Sequence, residues 1–147
     1  MLPTLRIVTE LEVRVPKLNL ARIIRLVCER AWKEGNGSTE RLYLCLQPLV
    51  LHFDRVGLLA EATGALLRGG LSPGFSPRTG AVGIHLWSPD ADRQDGRILI
   101  ADDGTELSGE PSTPSVARAR RHVEQAGCHL IWQPARGAVW RIHIPAD

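Results

Sequence analysis

The chain has 147 residues, 44% of them hydrophobic and 23% charged, and eighteen basic side chains against sixteen acidic ones leave a formal charge of +2. Those values suit one globular domain over residues 1–147 with a single core. They exclude nucleic acid or an anionic membrane as the main partner on charge grounds, and no apolar run reaches the length of a membrane span.

The N-terminus, MLPTLRIVTE, lacks the basic flank and long apolar core of a secretion signal. Cys28, Cys45 and Cys128 are widely spaced, each among apolar neighbours, and read as buried thiols in a reducing cytoplasm. From Leu5 to Val15 the sequence alternates, with Leu11, Val13 and Val15 on one face and Glu10, Glu12 and Arg14 on the other, as a half-buried strand does. Asn19 is placed to cap a helix whose apolar positions Leu20, Ile23, Ile24, Val27 and Ala31 share one face, and EGNGS ends it. LYLCL and LVLHF, on either side of Gln47 and Pro48, read as two strands tightly joined to each other.

Asp54 then reads as the cap of a second helix, RVGLLAEATGALLRGG, with Leu58, Leu59, Ala62, Ala65 and Leu66 on its apolar face and Gly69 and Gly70 at its end. Ala60, Ala62, Gly64 and Ala65 give this helix little bulk, which allows either close packing or room for a ligand. LSPGFSPRTG is an irregular loop, AVGIHLW and RILIA are strands, and the polar SPDADRQDG connects them as a hairpin. After a second polar segment, GTELSGEPST, Thr113 and Pro114 fit the N-cap and first position of a third helix. Its apolar face is Val116, Ala119, Val123 and Ala126, with Arg118, Arg120 and Arg121 pointing largely away and Gly127 as the stop. CHLIWQ and AVWRIHIP close the chain as a hairpin around PARG. The order predicts an α+β fold: a two-layer sandwich with a mixed, mostly antiparallel sheet and helices on one face.

Four stretches carry a family resemblance. "PLVLHFDRVGLLAEATGALLRGGLS" is similar to a strand and N-box helix, "ILIADDGTEL" to a strand and first glycine box, "PSVARARRHVEQAGCHL" to the helix after a second glycine box, and "GAVWRIHIP" to a closing strand. In this order they resemble the catalytic, ATP-binding domain of sensor histidine kinases, within the GHKL (Bergerat) ATPase superfamily. The resemblance covers the chain from about Leu18 onward. It implies the histidine-kinase ATPase fold, ATP with magnesium as cofactor, Asp102 as the group that recognises the adenine amino group, and Gly104 as the glycine of the first box. It implies protein partners: a response regulator or a histidine-bearing hairpin domain, with a homodimer also compatible.

The motifs depart from that pattern where phosphate and metal would lie. Gly64 stands at the magnesium-coordinating asparagine, Ala60 at the usual glutamate, and Glu61 one residue, or about 100° of helix, out of place. Magnesium needs hard oxygen ligands, which glycine and alanine side chains do not supply. Glu106 replaces the second glycine of the first box, and STPSVAR with Gly109 replaces the second box, where Pro114 has no amide hydrogen to offer a phosphate. Gly137 and Ala138 stand where a glycine and a threonine are usual. Asp102, Gly104, Glu61, Gly64 and Gly109 are the candidate binding residues, with no catalytic group and no metal ligand set assigned.

Three readings follow: a histidine-kinase-like domain of two-component signalling that has lost most nucleotide determinants and acts through protein contacts, a working catalytic domain that phosphorylates a histidine elsewhere, or a cleft beside Gly64 for another ligand. Asp102 and Asp103 have the further alternative of hydrogen-bonding their own turn. The histidines show no zinc spacing, no GxSxG elbow occurs, and Arg118, Arg120 and Arg121 form either a solvated face or a site for an acidic partner surface.

Overall fold

The computed structural model describes residues 17–104 and 109–146. The expected strand Leu5–Val15, and Glu106 with its neighbours at 105–108, lie outside the described residues. The elements are β1 (Lys17–Asn19), α1 (Leu20–Glu34), a single 3-10 turn at Thr39–Arg41, β2 (Leu42–Leu46), β3 (Val50–His52), α2 (Phe53–Gly69), β4 (Val82–Trp87), β5 (Gly96–Asp102), α3 (Pro114–Gln125), β6 (His129–Pro134) and β7 (Ala138–Ile144).

Five strands form one sheet in the order β2-β4-β5-β7-β6, parallel between β2 and β4 and antiparallel elsewhere. The mixed, mostly antiparallel sheet and the helical layer agree with the expected α+β architecture. Period-two alternation sends Val82, Ile84 and Leu86, Ile98 and Ile100, and Trp140, Ile142 and Ile144 into the core. Each such side chain contributes roughly 1.5–3 kcal/mol through burial. The same alternation turns His85, Trp87, Arg97, Leu99, Arg141 and His143 to the other face. There His85 stacks on Trp87, Arg97 lies over the Trp87 ring at 4.8 Å, and His143 contacts Asp95.

Helix α2 packs between α1 and α3. Its small residues are used for close packing: a Cβ on Gly64 would stand 2.8 Å from Val27 Cγ1 of α1, closer than carbon atoms tolerate. Asn19 caps α1 as expected, accepting from the N–H of Ala21 at 3.1 Å and from that of Leu49 at 3.2 Å. One side chain thus ties the helix start to the segment before β3.

Several details differ from the sequence reading. β2 and β3 do not pair: β3 joins β1 in a separate two-stranded sheet, and β2 joins β4. α2 starts two residues early, so His52 rather than Asp54 is its N-cap, with Nδ1 facing the Asp54 N–H. Cys28 and Cys128 are buried, but Cys45 is exposed. Arg120 does not point away: it holds Glu110 Oε1 at 2.6 Å and the Leu130 carbonyl at 3.3 Å. No helix among the described residues is long and apolar enough to cross a membrane.

Candidate functional site

Strand β5 carries Asp102 to the end of the sheet, where the residue is 8% exposed. The loop after α2 brings Ser72 to it, and the turn before β7 brings Ala138. Asp102 Oδ2 accepts from the backbone N–H of Ser72 at 2.7 Å and of Ala138 at 3.1 Å. Its Oδ1 accepts from the Ser72 hydroxyl at 2.9 Å and from the Gly104 N–H at 2.8 Å. A carboxylate has about four lone-pair sites, so this chain's own groups occupy all of them.

The glycines around the carboxylate are fixed by its closeness. Gly137 has φ +77°, and a Cβ there would lie 2.6 Å from both Oδ1 and the backbone carbonyl of Asp102. A Cβ on Gly104 would overlap the Ser72 hydroxyl and lie 2.8 Å from Asp102 Oδ1. Asp103, one residue on, exchanges backbone and side-chain hydrogen bonds with Ala81 and so continues the β4 pairing. On the outer side of this knot is an open hollow of about 490 Å³ lined by Pro73, Phe75, Thr79 and Gly104 among others.

The other candidate residues do not converge on Asp102 with Gly104. Gly64 faces α1, as described above. Glu61 is exposed, on the outward side of α2 with Asp54 and Gly57. Gly109 is exposed, with open space where a side chain would be.

The N-terminus of α3, where the sequence resemblance sets the second glycine box, sits against the end of α2. Thr113 Oγ1 accepts from the Val116 N–H at 3.2 Å and donates to the Gly69 carbonyl at 2.8 Å. A Cβ on Gly69 would meet the Ser115 Cβ at 2.6 Å. Of the four N–H groups that a helix start offers an anion, Pro114 has none and that of Val116 is taken by its cap, which leaves those of Thr113 and Ser115. Among the described residues no three His, Cys, Asp or Glu side chains gather to hold a metal ion.

Sequence reasoning singled out Asp102 and missed Ser72 and Ala138. The signal for Ala138 lay beside Gly137 in the closing turn. None marks Ser72, whose role depends on the loop that brings it across.

No family model and no curated protein sequence matches the chain. Solved structures do. The histidine kinase domain of the Erythrobacter litoralis EL346 blue-light activated histidine kinase is similar with a TM-score of 0.64 at 17% identity, covering 87% of this chain and 61% of that one. The mycobacterial sensor histidine kinase MprB is similar with a TM-score of 0.64 at 18% identity, over 88% of this chain and 95% of that one. Acinetobacter baumannii histidine kinase AdeS gives 0.59 at 15% identity, over 99% and 75%.

The chain has the fold of a histidine kinase catalytic domain.

Within this kinase-like fold Asp102 holds the strand-end position expected from the resemblance. The loop after the central helix α2 and the turn of the closing β6–β7 hairpin supply the frame around it.

Proposed function

We propose that this chain is a histidine-kinase-like domain that does not use ATP and acts in two-component signalling by protein contact. One observation carries the reading: the carboxylate to which the resemblance gives adenine recognition is saturated by Ser72, Gly104 and Ala138 of the chain itself. To accept from an adenine amino group, it must release at least one donor. A buried donor left without a partner costs about 1–3 kcal/mol.

The residues present do not fit magnesium triphosphate either. Gly64 offers no side-chain oxygen and faces α1, Glu61 points to solvent, and the α3 N-terminus is docked on Gly69. The chain's groups that would touch a nucleotide act instead as a clasp joining three segments that are far apart in sequence. Its partners, on this reading, are a response regulator or a histidine-bearing hairpin domain, met in the cytoplasm.

Calorimetric titration with ATP and ADP, each with and without magnesium, tests the reading. No heat up to millimolar nucleotide from folded protein is expected. Micromolar binding that needs magnesium and disappears in Asp102→Asn would overturn it in favour of a working catalytic domain.

A further inference from the structure

The two edges of the main sheet are treated differently. At the β6 edge, Arg120 of α3 donates to the Leu130 carbonyl and the strand ends at Pro134, so pairing with another strand is blocked by a cation and an imino acid. At the β2 edge neither device is present. Gln47 donates its backbone N–H to Leu86 of β4. Peptide groups along a strand point alternately to its two sides, so the N–H and C=O groups of Leu44 and Leu46 point outward. Among the described residues nothing hydrogen-bonds to them from that side.

A groove of about 830 Å³ runs round this edge. On the helix side it is lined by Arg25, Glu29 and Lys33 of α1, and on the open side by Tyr43, Cys45 and His85. A smaller hollow extends it past Arg22 and Leu26 to Leu46 and Pro48. α1 therefore runs antiparallel to β2 along its whole length. Tyr43 and Leu26 are the two most exposed large apolar side chains among the described residues, at 62% and 64%. Along the helical rim stand Arg22, Arg25 and Lys33 against the single carboxylate of Glu29, which pairs with Arg25 at 3.6 Å.

We propose that the free edge of β2 is a docking site for an extended segment of a partner protein, added as a sixth strand, that alternates acidic and aliphatic residues. Strand addition supplies affinity through main-chain hydrogen bonds, and specificity comes from side chains that alternate between two sides. Carboxylates of the added strand lie towards Arg22, Arg25 and Lys33. Aliphatic side chains lie on the open face beside Tyr43 and Cys45. The edge shares no residue with the Asp102 clasp, so the proposal stands or falls separately from nucleotide binding.

The test is fluorescence anisotropy of the whole chain with two labelled heptapeptides, Val-Glu-Val-Glu-Val-Glu-Val and the same peptide with lysine for glutamate. The glutamate peptide is expected to bind at least about tenfold more tightly, as charge complementarity selects partners. Arg25→Glu with Lys33→Glu, both surface changes, should reverse that preference. Leu44→Pro removes an outward N–H and should abolish binding of either peptide. If Leu44→Pro does not fold, the charge reversal still decides. Equal affinity for the two peptides, or no change on charge reversal, overturns the proposal. Sedimentation showing a concentration-dependent dimer with no peptide bound would also overturn it, by making the occupant a second copy.

Discussion

Two regions where the resemblance sets a nucleotide, the Asp102 strand end and helix α2, differ in how they are closed. At the Asp102 end the expected residue is present, yet its acceptors are filled by Ser72, Gly104 and Ala138. At α2 the expected residues are replaced, and the space is filled by packing: Gly64 against Val27, and Gly69 against Thr113 and Ser115. A retained motif residue is thus no sign of a retained ligand. What decides is whether its hydrogen-bonding capacity is still open.

The largest effect is expected at Asp102. Asp102→Ala leaves the N–H groups of Ser72, Gly104 and Ala138 without their acceptor in a buried place. Loss of about 3–5 kcal/mol of stability is expected in urea unfolding. A nucleotide-binding aspartate open to its ligand would cost little when replaced in the free protein, so a loss below about 1 kcal/mol would mean that the clasp is not structural.

Next in size is Gly64→Asn, which restores the side-chain type the resemblance expects. The new Cβ meets Val27, and overpacking of this kind costs about 1–3 kcal/mol. Magnesium-dependent ATP binding gained by this variant would show that α2 needs only a ligand atom. Val27→Ala in the same chain should recover part of the lost stability, because it removes the colliding methyl.

Thr113→Val keeps the shape but removes the cap of α3 and its bond to the Gly69 carbonyl. A loss of about 1–2 kcal/mol is expected by the same unfolding measurement. The smallest effect is predicted for Glu61→Gln, within about 0.5 kcal/mol, since the side chain is exposed on α2. A Glu61→Gln change that altered nucleotide binding would place that carboxylate at the nucleotide.

The cysteines give a chemical control on the packing. Burial pushes the Cys28 thiol up to about 12. It therefore stays protonated and unreactive through mildly alkaline pH. Iodoacetamide at neutral pH should label Cys45 in the native protein and reach Cys28 and Cys128 only on unfolding, as mass spectrometry of tryptic peptides would show.

Much of the fold was legible because its helices and strands repeat at their own periods. The α1 face, the Thr113–Pro114 start of α3 and the β6–β7 hairpin are local patterns, and they form where the sequence places them. The partner of β3 was not legible: β1 is three residues, Lys-Leu-Asn, with no strand signal, and only tertiary contact makes it one. Cys45 was misread because sequence neighbours in a strand lie on opposite faces, so apolar residues beside it say nothing of its own burial. At the site, Asp102 was visible as a strand-end carboxylate, but its donors come from 30 and 36 residues away. Hydrogen bonds of that span depend on the completed sheet.

The indole N–H of Trp140 donates to the Gly70 carbonyl at 2.8 Å, and its ring lies 5.0 Å from that of Trp132 across the β6–β7 hairpin. Two indoles this close, held at 59° to each other, couple their electronic transitions. The protein thus carries a built-in optical reporter: a paired circular-dichroism signal that depends on the hairpin staying closed, together with a buried emission that shifts to the red when the end of α2 lets go of it.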